Sequence, residues 1–201
     1  MYLWFSFTMF LVGGVMALEG DFRSYGQGMK AGIEAALKGE KVQGRTVEFV
    51  ALNDFYNPAN TESAVRQLLQ EGIFLMMGNF GTPTTQKALP ILAEHKVPAL
   101  GFYTGAGFTG PGDVLNVRAS YAQEVAAVIE AAIAAGVKPD EVCAYAQNDA
   151  YGMAGLQGFR AALAKHSGTE KTVGLLDKLL ALPGDNPPRN GIGPVGVYQR
   201  E

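Results

Sequence analysis

A turn rich in glycine and hydroxyl side chains, residues 78–85, is the stretch of this sequence best suited to bind an anion. It has the sequence Gly-Asn-Phe-Gly-Thr-Pro-Thr-Thr and lies between an apolar segment at 73–77, typical of a buried strand, and a helical pattern at 86–94. In open α/β sheets such turns lie at the carboxyl ends of strands, where ligands bind. The N–H groups of a first helical turn and threonine hydroxyls both suit a carboxylate. The same residues also fit a purely structural role, in which Thr82 caps the helix and Pro83 takes its first position.

The segments around this turn alternate between predicted strands and predicted helices. Apolar and β-branched runs predict strands at 10–16, 46–52, 73–77, 97–102, 114–118 and 142–146. Helical spacing of apolar residues predicts helices at 21–38, 61–70, 86–94, 121–135 and 152–165. Residues 172–182 fit a strand or a helix, and the glycine-rich stretches 105–113 and 183–196 predict loops. The alternation predicts an α/β fold, a mostly parallel sheet with helices on both faces.

These elements fall into two groups of unequal size. Residues 10–118 predict a first α/β lobe, and residues 119–201 predict a partial second lobe. One strand–helix–strand unit is too short to bury its own sheet, since a compact domain needs at least ~50 residues and usually more. We therefore expect the second lobe to be cut short or completed by a partner. Residues 1–9 are predicted to be an apolar segment upstream of the first lobe.

The apolar start of the chain fits three kinds of segment. Residues 1–18 contain no Lys or Arg, whereas a secretory signal begins with a basic region. A membrane helix needs roughly 20 apolar residues, and Gly13 and Gly14 weaken that interpretation. The pattern favours the third possibility, a first buried strand at 10–16. The chain is thus predicted to lack a convincing signal peptide.

Composition argues against several classes of function. The chain has 201 residues, 48% of them hydrophobic, which is ample for a core, and its net charge of -3 argues against nucleic acid as a partner. Cys143 is the single cysteine in the sequence, so no intrachain disulfide is possible. Two histidines and one cysteine cannot form a His/Cys zinc site. We therefore expect no metal and no cofactor.

Catalytic motifs fit the sequence poorly. Gly26, Gly28 and Gly32 have a spacing related to dinucleotide-binding loops, but such a loop follows the first strand directly, and these glycines fall within a predicted helix. The sequence contains no P-loop motif and no G-x-S-x-G motif. Asp54 and Asp149 are isolated in sequence, and nothing pairs them as acid and base. The sequence predicts a protein that is not an enzyme.

Six loop segments, in order along the chain, resemble one known family. Together they are similar to the periplasmic solute-binding proteins of branched-chain amino acid ABC transporters, the Leu/Ile/Val-binding type. The resemblance covers about residues 10–163 and continues more weakly to the end. The segments are Ala17-Leu18-Glu19-Gly20 with Tyr25-Gly26-Gln27-Gly28, Asn53-Asp54, Gly78-Asn79-Phe80-Gly81-Thr82, Phe102-Tyr103-Thr104-Gly105-Ala106, Asn116-Val117-Arg118-Ala119-Ser120-Tyr121 and Asn148-Asp149-Ala150-Tyr151-Gly152.

This resemblance implies a type I periplasmic-binding fold, with two α/β lobes and the ligand in the cleft between them. It assigns Gly81, Thr82, Tyr103, Thr104 and Gly105 to the ligand's head group, and Tyr151 and Tyr25 to the lining of the cleft. Gly105 stands where amino-acid binders often carry a hydroxyl, and the family's acidic partner for the ammonium group would lie beyond Glu201. These differences leave amino-acid specificity open. Arg118 is expected to be a structural ion-pair or hinge residue rather than a ligand contact.

The resemblance also implies a function and a location. We expect non-catalytic binding of a small amphipathic solute, an amino acid or a related carboxylate or amide, for delivery to an ABC importer. The expected partners are that solute and the transporter permease, with contact to the membrane only through the permease. The expected location is periplasmic or lipid-anchored outside the cytoplasm, and the 201 residues alone are expected to bind ligand weakly or not at all. The alternative is a ligand-sensing domain of a receptor or regulator on the same fold.

Overall fold

The computed structural model of the chain describes residues 9–108, 114–116, 118–181 and 195–198. The chain divides into two compact units. Unit 1 comprises Met1–Thr104 and Phe108–Val117, and unit 2 comprises Gly105–Gly107 and Arg118–Glu201. The predictions made for residues 1–8, 109–113 and 183–194 lie outside the described residues.

Unit 1 is built from strands that alternate with helices, as the sequence predicts. A short hairpin strand was not predicted and pairs with the strand that follows it. The elements of unit 1 are β1 Met9–Met16, α1 Arg23–Leu37, β2 Lys41–Val42, β3 Arg45–Asn53, α2 Pro58–Glu71, β4 Leu75–Asn79, α3 Thr82–Glu94, β5 Ala99–Leu100 and β6 Val114–Leu115.

The six strands form one sheet in the order β2-β3-β1-β4-β5-β6. All neighbours are parallel except β2 and β3. The first strand is central: β1 runs beside β3 from the pair Met9 and Thr46 to the pair Met16 and Asn53, and beside β4 on its other side. The predicted strand at 10–16 is therefore confirmed, and so is the predicted α/β class. The carboxyl ends of the parallel strands share one edge of this sheet, which we call the carboxyl edge.

Local chemistry explains where the helices of unit 1 begin and end. Helix α2 starts earlier than its apolar pattern predicts, because Asn57 caps it by accepting from the N–H groups of Ala59 and Asn60, and Pro58 takes the first position. Gly72 ends it in the left-handed conformation with φ of 82°, which suits glycine. Helices α2 and α3 pack together over the sheet. The buried residues that form the hydrophobic core of unit 1 are Val15, Ala64, Val65, Leu68, Ile73, Met76, Ala88, Ile91, Leu92, Ala99 and Phe102.

Unit 2 contains four helical segments and two strands among its described residues. Strands β7 and β8 are parallel, with Ala144 opposite Val195. Residues 172–180 of the ambiguous stretch lie in a helix, whose buried residues Leu176 and Leu179 pack with Leu156 and Phe159. No described helix is both long and apolar enough to cross a membrane. The elements are α4 Tyr121–Ala134, a 3-10 turn Pro139–Glu141, β7 Ala144–Gln147, α5 Ala150–Leu163, α6 Glu170–Leu180 and β8 Val195–Tyr198.

Ser120 and Gln123 cap α4. The Ser120 hydroxyl accepts from the N–H of Gln123, and the Gln123 side chain accepts from the N–H of Ser120. Helices α4 and α5 approach closely where Gly158 faces Ala122, since a Cβ at Gly158 would lie 2.4 Å from the Ala122 Cα. The packing of unit 2 depends on this glycine.

Replacing Gly158 with Ala is expected to destabilise the protein by roughly 1–3 kcal/mol, because the added methyl group would force the two helix backbones apart. Gly155 provides a matched control in the same helix, since a Cβ there would have its nearest neighbour at 4.0 Å. Gly155→Ala should stabilise the protein by about 0.5–1 kcal/mol through helix propensity. Urea denaturation of both variants measures the difference, and equal effects of the two substitutions would contradict the close packing.

Candidate functional site

The turn after β4 is held by a buried amide. The Asn79 Nδ2 donates to the Val15 carbonyl at 2.8 Å, and its Oδ1 accepts from the hydroxyls of Thr84 at 3.1 Å and Thr85 at 2.8 Å. These side chains are buried, and a buried polar group is costly unless it is hydrogen-bonded. The network therefore fixes the amino end of α3 against the carboxyl edge.

Gly81, rather than Thr82, occupies the capping position of α3. Gly81 has φ of 102°, and a Cβ there would lie 2.2 Å from the Tyr56 Cε2, so both backbone conformation and space require glycine. Thr82 is the first helical residue, and no side-chain hydrogen bond caps the helix. The prediction that Thr82 is the cap is wrong, because the loop needs a left-handed residue one position earlier.

The Thr82 hydroxyl points toward the next loop of the sheet. It forms a 2.8 Å hydrogen bond with the Thr104 hydroxyl, and the two side chains are 2% and 1% exposed. The Gly81 N–H donates to the Tyr103 carbonyl, and the Asn116 side chain donates to the Thr104 carbonyl at 2.8 Å. The loops after β4 and β5 are thus joined at the residues that the sequence assigned to the ligand's head group.

An aromatic cluster surrounds the two joined loops. Phe80 lies between Tyr25, whose ring centroid is 4.8 Å away, and Tyr103, whose centroid is 5.8 Å away, and both pairs are stacked. Phe22 and Tyr56 contact the same Phe80 ring at 5.8 and 5.4 Å. The sequence singled out Tyr25 and Tyr103, and the structure brings them together through Phe80. Sequence reasoning did not single out Phe80 as the centre of this cluster, although its place directly after a strand that ends at Asn79 was a usable signal.

Asp54 stabilises the loop that carries Tyr56. Its side chain is 0% exposed and accepts from the Tyr56 N–H at 2.9 Å and the Thr61 hydroxyl at 2.8 Å. Phe55 and Tyr56 have positive φ angles of 53° and 61°, which non-glycine residues adopt only with support from their surroundings. Burial raises the pKa of the Asp54 carboxyl, and these hydrogen bonds oppose part of that rise.

The raised pKa of Asp54 gives a pH-dependence of stability with a definite sign. An acid whose pKa is higher in the folded than in the unfolded protein binds more protons when folded, so its contribution to stability decreases as pH rises through that interval. We therefore expect the free energy of unfolding of Asp54→Asn to rise relative to that of the wild type as the pH increases from about 4 toward 7. Urea unfolding across that range measures it. An unchanged difference at every pH would contradict the assignment to Asp54.

Unit 2 contains the other two predicted site residues, Gly105 and Tyr151. The Gly105 carbonyl accepts from the Tyr121 N–H at 2.7 Å, and a Cβ at Gly105 would lie 2.8 Å from the Tyr121 Cδ1. Tyr151 lies in the first turn of α5, is 47% exposed and meets the Tyr121 ring edge-on, with the ring centroids 4.9 Å apart. Gly105 is thus a packing position beneath Tyr121, while Tyr151 presents a ring at the surface of unit 2.

Arg118 holds this tyrosine pair in place. Its guanidinium lies 4.9 Å from the centroid of the Tyr121 ring and pairs with the Glu124 carboxylate, so the predicted structural ion pair is confirmed. Asp149 caps α5 by accepting from the Gly152 N–H at 3.0 Å. The two isolated aspartates of the sequence, Asp54 and Asp149, thus both support loops.

A groove of about 580 Å³ lies within unit 2, between α4, β7 and α5. Its walls include Val125, Val128 and Phe159. Two hydrogen-bonding side chains in its walls are already engaged, since Glu124 pairs with Arg118 and Gln147 with Asp149. A small-ligand site combines an apolar wall with a few converging polar groups, and at the carboxyl edge of unit 1 such groups converge where the loops after β4 and β5 meet. Within the described part of the chain, no three His, Cys, Asp or Glu side chains cluster as metal ligands would.

Comparisons with known proteins agree on one family. The family model described as periplasmic binding protein matches residues 11–176. Comparison with curated proteins gives no significant match. Among solved structures, a possible leucine/isoleucine/valine-binding protein from Rhodopirellula baltica SH 1 is 32% identical, with a TM-score of 0.79, and the match covers 96% of this chain and 49% of that one.

Two further structures show the range of this similarity. An ABC transporter solute-binding protein from R. palustris, in complex with 4-hydroxybenzoate, is 25% identical with a TM-score of 0.71, and the match covers 80% of this chain and 45% of that one. A leucine-binding protein from Thermotoga maritima MSB8 is 20% identical with a TM-score of 0.69, and the match covers 80% of this chain and 47% of that one. At this identity the similarity supports the fold alone. The chain spans about half the length of the solved structures it matches.

Proposed function

The chain belongs to the periplasmic binding protein family, and we propose that it binds a small amphipathic solute that carries a carboxylate. The family and its solved relatives are solute-binding proteins, so the proposed role is binding without catalysis. The observation that carries this proposal is the assembly of Tyr25, Gly81, Thr82, Tyr103 and Thr104 at the carboxyl edge of unit 1. Ligands of open α/β sheets bind at this edge.

The chemistry of the carboxyl edge suits the two halves of such a solute. The amino end of α3 presents backbone N–H groups that lack intrahelical acceptors, and the Thr82 hydroxyl lies beside them. These donors support binding of a carboxylate. The exposed rings of Tyr25 and Tyr103 offer apolar faces to the remainder of the solute. In this proposal Gly81, Thr82 and Tyr103 bind the head group. Thr104 orients the Thr82 hydroxyl through their hydrogen bond, and Tyr25 contacts the apolar part of the solute.

The proposed partner of the whole protein is the permease of an ABC importer, which receives the solute. The relative from R. palustris is an ABC transporter solute-binding protein, and the family name places such proteins outside the cytoplasm. We propose the same location here, with contact to the membrane only through the permease. Neither a cofactor nor a metal enters this function.

In the complete protein with both lobes, replacing Thr82 with Val is expected to weaken carboxylate binding by roughly 1–3 kcal/mol, because a hydrogen-bond donor to a charged group is lost while side-chain shape is kept. Isothermal titration with benzoate and leucine measures this effect. Thr104→Val is the matched control, since it breaks the same 2.8 Å hydroxyl pair from the other side.

The two variants separate the roles of the pair. If Thr82 contacts the solute, its substitution should weaken binding more than Thr104→Val does, with similar losses of stability for both. If Thr82→Val keeps both the fold and the affinity for the solute, Thr82 does not contact the solute and its role is purely structural.

A further inference from the structure

The turn after β3, residues 54–57, adopts a conformation that its residue types disfavour. The Asn57 N–H donates to the Asp54 carbonyl at 2.8 Å, and the two central residues, Phe55 and Tyr56, have φ angles of 53° and 61°. Turns with positive φ at both central positions are dominated by Gly, Asn and Asp, because larger side chains are strained there. The proposed function gives this turn no role, so the strain requires a separate explanation.

The Asp54 carboxylate holds the turn in this conformation. One of its oxygens accepts from the Tyr56 N–H at 2.9 Å, and the other accepts from the Thr61 hydroxyl at 2.8 Å, which ties the turn to helix α2. The Asp54 side chain is 0% exposed, and hydrogen bonds in a buried environment are stronger than those that compete with water. The position of Tyr56 is therefore set by the interior of unit 1.

The Tyr56 ring lies directly against Gly81. A Cβ at Gly81 would lie 2.2 Å from the Tyr56 Cε2 and 3.0 Å from its Cζ. The rings of Phe22 and Phe80 confine the Tyr56 ring, with centroids 4.4 and 5.4 Å away. Gly81 is also joined to the neighbouring loop, because its N–H donates to the Tyr103 carbonyl at 3.2 Å. The ring and this hydrogen bond together fix a residue that has no side chain of its own.

The conformation of Gly81 determines where the proposed head-group donors point. Gly81 directly precedes Thr82, the first residue of α3, so its backbone angles set the direction of the first N–H groups of the helix. Glycine has more backbone freedom than any other residue, and a site that must be ordered by its ligand loses affinity. Contact with the Tyr56 ring removes that freedom before a ligand binds.

We propose that Tyr56 is a positioning residue for the head-group site. Its ring, held by Asp54 in a left-handed turn, fixes Gly81 and thereby orients the first N–H groups of α3 toward the carboxylate of the solute. This inference rests on the proposed function, since it adds a residue that acts on the same site through Gly81 and without contact to the solute.

Three substitutions in the turn separate the ring from the backbone conformation. Asn tolerates a positive φ, so Tyr56→Asn keeps the turn and removes the ring, whereas Tyr56→Phe keeps the ring. Phe55→Asn is the matched control, because Phe55 has the same left-handed conformation in the same turn and is 53% exposed.

Hydrogen exchange measures the position of Gly81 without a ligand. In the complete protein with both lobes, Tyr56→Asn should accelerate exchange of the Gly81 amide, whose hydrogen bond to the Tyr103 carbonyl is loosened, while the amides of strand β1 exchange as in the wild type. Tyr56→Phe and Phe55→Asn should leave the Gly81 amide unchanged. Equal acceleration at Gly81 and throughout β1 would show a general loss of stability and overturn the positioning role.

Isothermal titration of the same variants with benzoate and leucine measures the effect on binding. Tyr56→Asn should weaken the binding of whichever of the two acids the wild type binds by roughly fivefold, and the other two variants should stay within about twofold of the wild type. An unchanged affinity in Tyr56→Asn, or an equal loss in Phe55→Asn, would overturn the role of Tyr56 and leave the proposed function intact. Absence of binding of both acids by the wild type up to about 10 mM would contradict the proposed function, and this inference with it.

Discussion

The buried amide of Asn79 is the interaction on which the arrangement of unit 1 depends. Its hydrogen bonds join the end of β1, through Val15, to the first turn of α3, through Thr84 and Thr85. An amide donates and accepts at once, which no apolar side chain of similar size can do. Because the amino end of α3 is fixed in this way, Gly81 and the adjoining loop take a single position, and the proposed head-group donors are in place before any ligand binds.

Close packing between neighbouring loops, rather than catalytic chemistry, explains most of the unusual residues at the carboxyl edge of unit 1. Gly81 leaves room for the Tyr56 ring, and the left-handed Tyr56 is supported by the buried carboxyl of Asp54. The aromatic rings pack in the space that results. The polar side chains thus build a frame, and the rings and backbone N–H groups carry the proposed binding function. This division suits a protein that binds a solute and releases it unchanged.

The sequence alone predicts the fold well and the site only in outline. Strand–helix alternation predicted the parallel sheet, because buried strands and amphipathic helices differ in period. The helical conformation of residues 172–180 could not be predicted, since a short apolar run fits a strand as well as a helix. Thr82 was misassigned as a cap because the conformation of Gly81 depends on contact with Tyr56, a residue distant in sequence. The central place of Phe80 in the aromatic cluster was missed for the same reason, because stacking depends on tertiary contacts that spacing does not encode.

The central claim is that the carboxyl edge of unit 1 binds the solute. The most direct test is a titration of the isotope-labelled protein with benzoate, followed by the backbone amide signals in NMR spectra. The account predicts that the largest shifts occur at Gly81, Thr82, Thr84 and Tyr103, while helix α6, Glu170–Leu180, is unaffected. Saturable binding with its largest shifts in the walls of the unit 2 groove, and none at these four amides, would contradict it.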